Sequence, residues 1–136
     1  IMPDKAMRIL LGILTAFLGL TAIAGSVGLL TGVAAPPVEV LAGSPFNDYT
    51  LPGLALLFLV GGSGLTAAYL TARRWRYAPL ACAAAGAIIV IYEVIEILVI
   101  GSPPGIARNL QIFYFTLGVL ILLLSFSWQW GETIER

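Results

Sequence analysis

Four long apolar runs, at 7–33, 51–71, 80–100 and 106–128, are separated only by short polar punctuation. Each reaches the roughly 20 residues that a helix needs to cross about 30 Å of hydrocarbon. A backbone inside a bilayer must satisfy its own hydrogen bonds, so runs of this kind are confined to helices. The expected architecture is therefore all-α: a single transmembrane domain over 1–136, folded as a four-helix bundle. Composition agrees, with 60% of the 136 residues hydrophobic and 10% charged, against roughly 25% charged in soluble domains. The mean hydropathy is +1.00.

The first run is longer than one crossing requires and should tilt or project. Lys5 and Arg8 before it, and "TAIAG" within it, also fit a signal peptide. Its apolar character continues past Gly25 to Val33, which favours a retained helix. Ile1 ahead of Met2 is unusual for a natural start.

Basic residues set the expected orientation. Lys5, Arg8, Arg73, Arg74, Arg76 and Arg136 fall on one side of a four-crossing chain and Arg108 alone on the other. Positive residues collect on the cytoplasmic side, so both termini are expected inside, in a prokaryotic plasma membrane. Trp75, Tyr77, Trp128 and Trp130 are then expected at headgroup depth on that side. The formal net charge is zero, which gives no signal for nucleic acid. With no histidine and Cys82 alone, the chain lacks a His-ligated haem, a Cys/His zinc site and a dithiol pair. No cofactor is indicated, and catalysis by this chain alone is the least favoured class.

The outer loop, "AAPPVEVLAGSPFNDYTLPG", carries Glu39 and Asp48 without a basic residue, and its prolines and glycines bar a regular helix through its middle. It should fold over the outer face of the bundle. Asp48 or Thr50 can cap the second helix, with Pro52 in its first turn. "SPFNDYTLPG" running into a Gly-rich helix, then a third helix with an embedded Glu and a fourth opening on "NLQ", resembles small four-helix bacterial membrane proteins. The resemblance spans about Pro45 to Leu124, and in size and helix number the chain is also similar to DoxX-like proteins. It implies a fold and no activity.

Gly12, Gly19, Gly28 and Gly32 in the first helix, Gly61, Gly64 and Ala68 in the second, and Ala83, Gly86 and Ala87 in the third permit close helix approach. Gly28 and Gly32 form a GxxxG pair, read as intrachain packing ahead of a dimerisation face. The bulky fourth helix should be the most lipid-exposed, or a docking face for another membrane subunit. "GGSG" at 61–64 lies inside a span and lacks the exposed helix N-terminus that a phosphate loop requires. Cys82 among alanines reads as a small packing residue.

The costliest residues are the acids of "IYEVIEILVI", Glu93 and Glu96. Counting from Val90 at the middle of the run places Glu93 about 5 Å and Glu96 about 9 Å toward the outside. Cys82, Gly86, Ile89, Glu93 and Glu96 approximate one helical stripe, which should face the bundle. Folding the third and fourth helices as an antiparallel pair sets Glu96 level with Arg108 to Gln111 and Glu93 level with Tyr114. Arg108 is then a candidate partner for Glu96, with Asn109, Gln111, Tyr114 and Tyr92 as hydrogen-bond donors. A paired Glu96 can stay ionised, whereas the deeper Glu93 is expected protonated or hydrogen-bonded, because desolvation disfavours its charged form.

Three functions fit these residues. The carboxylates can be a structural polar network. Joined by Asp48 or Glu39, they can form a proton or cation site of a small coupled transporter. The chain can be an accessory or hydrophobic-ligand-binding subunit of a membrane complex, contacting lipid, quinone, pigment, partner helices or another copy of itself. The last reading leads, with the transporter as the alternative.

Overall fold

The computed structural model describes residues 3–135, with side chains through Gly131; Ile1, Met2 and Arg136 lie outside the described residues. Among the described residues the chain is helical throughout, without strands. Helix α1 covers Asp4–Thr31, α2 Thr50–Ala72, α3 Ala78–Ile100 and α4 Ile106–Glu135. All four are long and apolar enough to cross a membrane. Successive helices pack side by side and α4 closes back on α1, giving an up-and-down bundle.

Two glycine crossings bring backbones together. A Cβ on Gly64 would stand 2.8 Å from the Gly19 nitrogen, and one on Gly19 would meet the Leu65 nitrogen at 2.8 Å. At the α3–α4 interface a Cβ on Gly86 would stand 2.9 Å from the Gly118 oxygen, and one on Gly118 would stand 3.1 Å from the Gly86 oxygen. At Gly19, Gly64 and Gly86 the opposing atoms include main chain that cannot give way, and at Gly118 the Ile89 and Val90 methyl groups stand at 2.7 and 2.8 Å, closer still than the Gly86 oxygen. Gly118, lodged in a bulky run, was not among the glycines expected to pack.

The GxxxG pair does something other than helix packing. Gly32 is the left-handed residue that ends α1 at φ 81°, and the Ala34 amide bonds back to the Gly28 carbonyl at 3.1 Å. Gly28 faces the returning chain at Ala34. The helix therefore stops at Thr31, two residues before the expected Val33, because this Schellman-type turn satisfies the last carbonyls. In α2 it is Ala67, not Ala68, that is fully buried.

Helix α2 is α-helical at Thr50–Ala55 and Gly62–Ala72, with a wider π turn at Leu56–Gly61 between them. Helix α4 turns Gln111, Leu117, Gly118, Ile121, Ser125 and Trp128 inward. Its bulk elsewhere faces outward, as at Leu123 and Phe126.

The termini and the α2–α3 turn share one end. There Arg8 donates to the Thr71 carbonyl at 3.0 Å and pairs with Asp4 at 3.3 Å. The Trp128 indole donates to Asp4 at 2.8 Å, and the Arg8 guanidinium sits 5.1 Å from the Trp128 ring centroid. Trp128 is thus buried at 4% exposure instead of facing headgroups; Trp130, at 65%, is the exposed member of the pair. Trp75 and Tyr77 are exposed and stack edge to face.

Gly64→Leu is expected to lower stability by about 1–3 kcal/mol through overpacking against main chain. Gly62→Ala, whose Cβ meets nothing within 4 Å, is expected to be neutral or stabilising by up to about 1 kcal/mol, the Gly-to-Ala helix difference. Unfolding in graded denaturing detergent measures both.

Candidate functional site

At the end away from the termini the loop of residues 32–49 does not stand clear of the bundle. Pro36, Leu41 in the 3-10 turn Val38–Leu41, and Phe46 fold down beside Tyr49 at the start of α2. Most of the segment is exposed, but its Leu41 and Tyr49 are buried. Beneath it lies a cavity of about 370 Å³ between α2 and the second half of α3. Its helical walls include Ala55 and Leu59 of α2 and Ile91, Tyr92, Ile95 and Glu96 of α3. Leu51, Leu59, Ile91 and Ile95 are also exposed on the bundle's outside, so the cavity opens sideways between the two helices. Leu59 belongs to the π turn, and such turns recur at functional sites.

Glu96 is the one ionisable carboxylate in this wall. Glu93, one turn earlier, points into the bundle at 5% exposure. Glu93 Oε2 is buried without a hydrogen-bond partner. On the same interior stripe Cys82, Gly86 and Ile89 are buried.

The fourth helix does not supply the expected partners. Arg108 is exposed and folds back on the connecting turn, its Nη2 donating to the Ser102 carbonyl at 2.6 Å and its Nε lying 3.2 Å from the Ser102 hydroxyl. The α3–α4 turn ends α3 at Gly101 and places that carbonyl within the guanidinium's reach, so Arg108 meets local acceptors before Glu96. Among the described residues, the carboxylate–guanidinium pair within 4.0 Å is Asp4–Arg8. Asn109 is exposed. Gln111 is buried at 2% exposure and donates to the Gly101 carbonyl at 3.0 Å, leaving its own Oε1 without a partner. The Gly86–Gly118 crossing sets the register that puts Gln111 level with Glu93. Tyr114 packs its ring on the core and on Phe113. Tyr92 donates to the Pro52 carbonyl at 3.2 Å, and Tyr49 to Pro37 at 3.4 Å.

Asp48 is exposed and accepts the Thr50 amide at 3.0 Å, the local turn that starts α2. It lies outside the cavity wall. Of the candidate residues, Glu96 and Tyr92 therefore come together at the cavity, Glu93 is buried in the bundle one turn away with Gln111 level with it, and Asp48 and Arg108 belong to turns. The cavity's loop residues Phe46, Tyr49 and Pro36 were missed at the sequence level. Their signal was the apolar residues of the outer loop.

No protein-family model matches the chain, and no curated protein or solved structure matches it significantly. Among the described residues no group of three or more His, Cys, Asp or Glu could hold a metal ion. The arrangement offers an apolar, laterally open pocket with a carboxylate in its wall.

Because Arg108 is held by Ser102, Arg108→Gln and Glu96→Gln are expected to change thermal stability additively, with coupling under about 0.5 kcal/mol. A double-mutant cycle measures it; coupling above about 1 kcal/mol would restore the direct pair.

Proposed function

We propose that the chain is a multi-pass protein of a prokaryotic plasma membrane that binds an apolar, lipid-like molecule in the cavity between α2 and α3, as an accessory subunit of a membrane complex. The carrying observation is the cavity itself: about 370 Å³, apolar, roofed by the 32–49 loop and open toward the flank of the bundle. That flank is lined by exposed Leu, Ile and Phe, a surface suited to lipid and not to water. A molecule already dissolved in the bilayer could enter without crossing water. Lys5, Arg8, Arg73, Arg74 and Arg76 at the end shared by the termini favour both termini in the cytoplasm, which puts the cavity in the outer leaflet. Partner helices, or a second copy, would meet the outward faces.

A second reading keeps the alternative of a small proton- or cation-coupled transporter. It is favoured by Glu93, whose buried Oε2 lacks a partner. Flux in proteoliposomes that Glu93→Gln abolishes would establish it; no flux from the wild type ends it.

The binding reading predicts a site-specific photolabelling pattern. Dodecanol carrying a diazirine, dissolved in phosphatidylcholine nanodiscs, is expected to label Leu59, Ile91 and Ile95 well above other lipid-facing residues. Ala55→Trp, which fills the cavity, is expected to reduce that excess several-fold. Uniform labelling along the outward faces, unchanged by Ala55→Trp, would contradict it.

A further inference from the structure

Resting on that reading, the inventory of polar groups around the cavity narrows the ligand. The wall holds one ionisable carboxylate, Glu96, and neither lysine nor arginine. Its two tyrosine hydroxyls are occupied, Tyr92 on the Pro52 carbonyl and Tyr49 on the Pro37 carbonyl. The basic residue at this end, Arg108, is turned onto Ser102. Behind Glu96 stands Glu93 with its unpartnered oxygen. The two acids lie three residues apart on one face of α3. Glu39 is a further acid of the same loop, exposed and outside the cavity wall. Burial first, and then the neighbouring Glu96 and Glu39, raise the Tyr49 phenol above its ordinary pKa.

Phe46, Tyr49 and Tyr92 line the same cavity. Aromatic faces combined with a carboxylate are the chemistry that recognises ammonium groups. The wall offers an anionic head no cation and gives a neutral head no charge to pair with, whereas an amine finds the Glu96 carboxyl group.

We propose that the cavity selects a single-chain amphiphile with a positively charged amine head, seated against the Glu96 carboxylate and the Phe46, Tyr49 and Tyr92 rings, with its chain between α2 and α3. Single-chain is argued from size: about 370 Å³ lies near the lower end of the roughly 300–1,000 Å³ range of small-molecule sites. It is also argued from charge, since the phosphate of an aminophospholipid would find no cation in the wall.

The test compares three diazirine probes of equal chain length, dodecylamine, dodecanol and dodecanoate, in phosphatidylcholine nanodiscs holding the full chain. Labelling of Leu59, Ile91 and Ile95 is normalised to outward-facing Leu123. The amine is expected to label these residues at least about tenfold more than the alcohol, and the carboxylate least. In Glu96→Gln the amine should fall to the alcohol's level while alcohol labelling is unchanged, which shows that the cavity is intact; Glu96→Asp should keep part of the amine excess. Nanodiscs containing phosphatidylethanolamine should not compete. If amine and alcohol label the cavity equally, or Glu96→Gln has no effect, the headgroup assignment is overturned and the apolar cavity survives. If phosphatidylethanolamine competes, the ligand is a membrane lipid and the single-chain assignment is overturned. If no probe labels the cavity above Leu123, both readings fail together.

Discussion

The bundle depends on two places where helix backbones touch. All four helices are long and apolar enough to span a bilayer, where lipid would give them no solvophobic reason to associate and close packing with a few polar contacts would have to hold them. Gly19 against Gly64 locks α1 to α2, and Gly86 against Gly118 locks α3 to α4. The second crossing also fixes the rotation of α3. With Gly86 on α4, the residues seven and ten positions on, Glu93 and Glu96, are carried round to the interior and to the α2–α3 groove. The first crossing lies beside the π turn of α2, whose Leu59 borders that groove. Packing and site are in this sense one arrangement.

The two ends of the molecule treat charge in opposite ways. At the terminal end Arg8 is answered by Asp4, by the Thr71 carbonyl and by the Trp128 ring, and Trp128 in turn donates to Asp4. Three helices are tied there by one network, in which Arg8 Nε is the buried atom left without a partner. At the other end the acids have no such answer: Arg108 serves the turn, Gln111 donates to Gly101, and buried oxygens of Glu93 and Gln111 are left without donors. A buried acceptor without a donor costs roughly 1–3 kcal/mol. These acceptors lie at the same end of the bundle as the apolar cavity.

Much of this was legible in the residues. The four helices follow from hydropathy and length alone, because a bilayer leaves a backbone few options. The inward stripe through Cys82, Gly86, Ile89 and Glu93 follows from helical spacing and small side chains. What the sequence concealed was competition between nearby partners. Arg108 was matched to Glu96 by level in the bundle, but the turn supplies Ser102 acceptors at shorter reach. Trp128 read as an interface anchor until Asp4, far away in sequence, claimed its indole. Gly28 and Gly32 carry a helix-pairing spacing yet build a helix terminus, a distinction made by the left-handed φ of Gly32. The cavity depends on the path of the 32–49 loop, which no periodicity encodes.

The central claim is that the cavity beside Glu96 opens to the membrane and not to water. A nitroxide at Ile95, on the cavity's open side, tests it by the relative collision rates of oxygen, which concentrates in lipid, and a water-soluble nickel chelate. The account predicts high oxygen and low nickel accessibility, matching a label at outward-facing Leu123. Nickel accessibility equal to that of a label in the exposed Arg73–Tyr77 turn would mean a water-filled cleft and contradict the account.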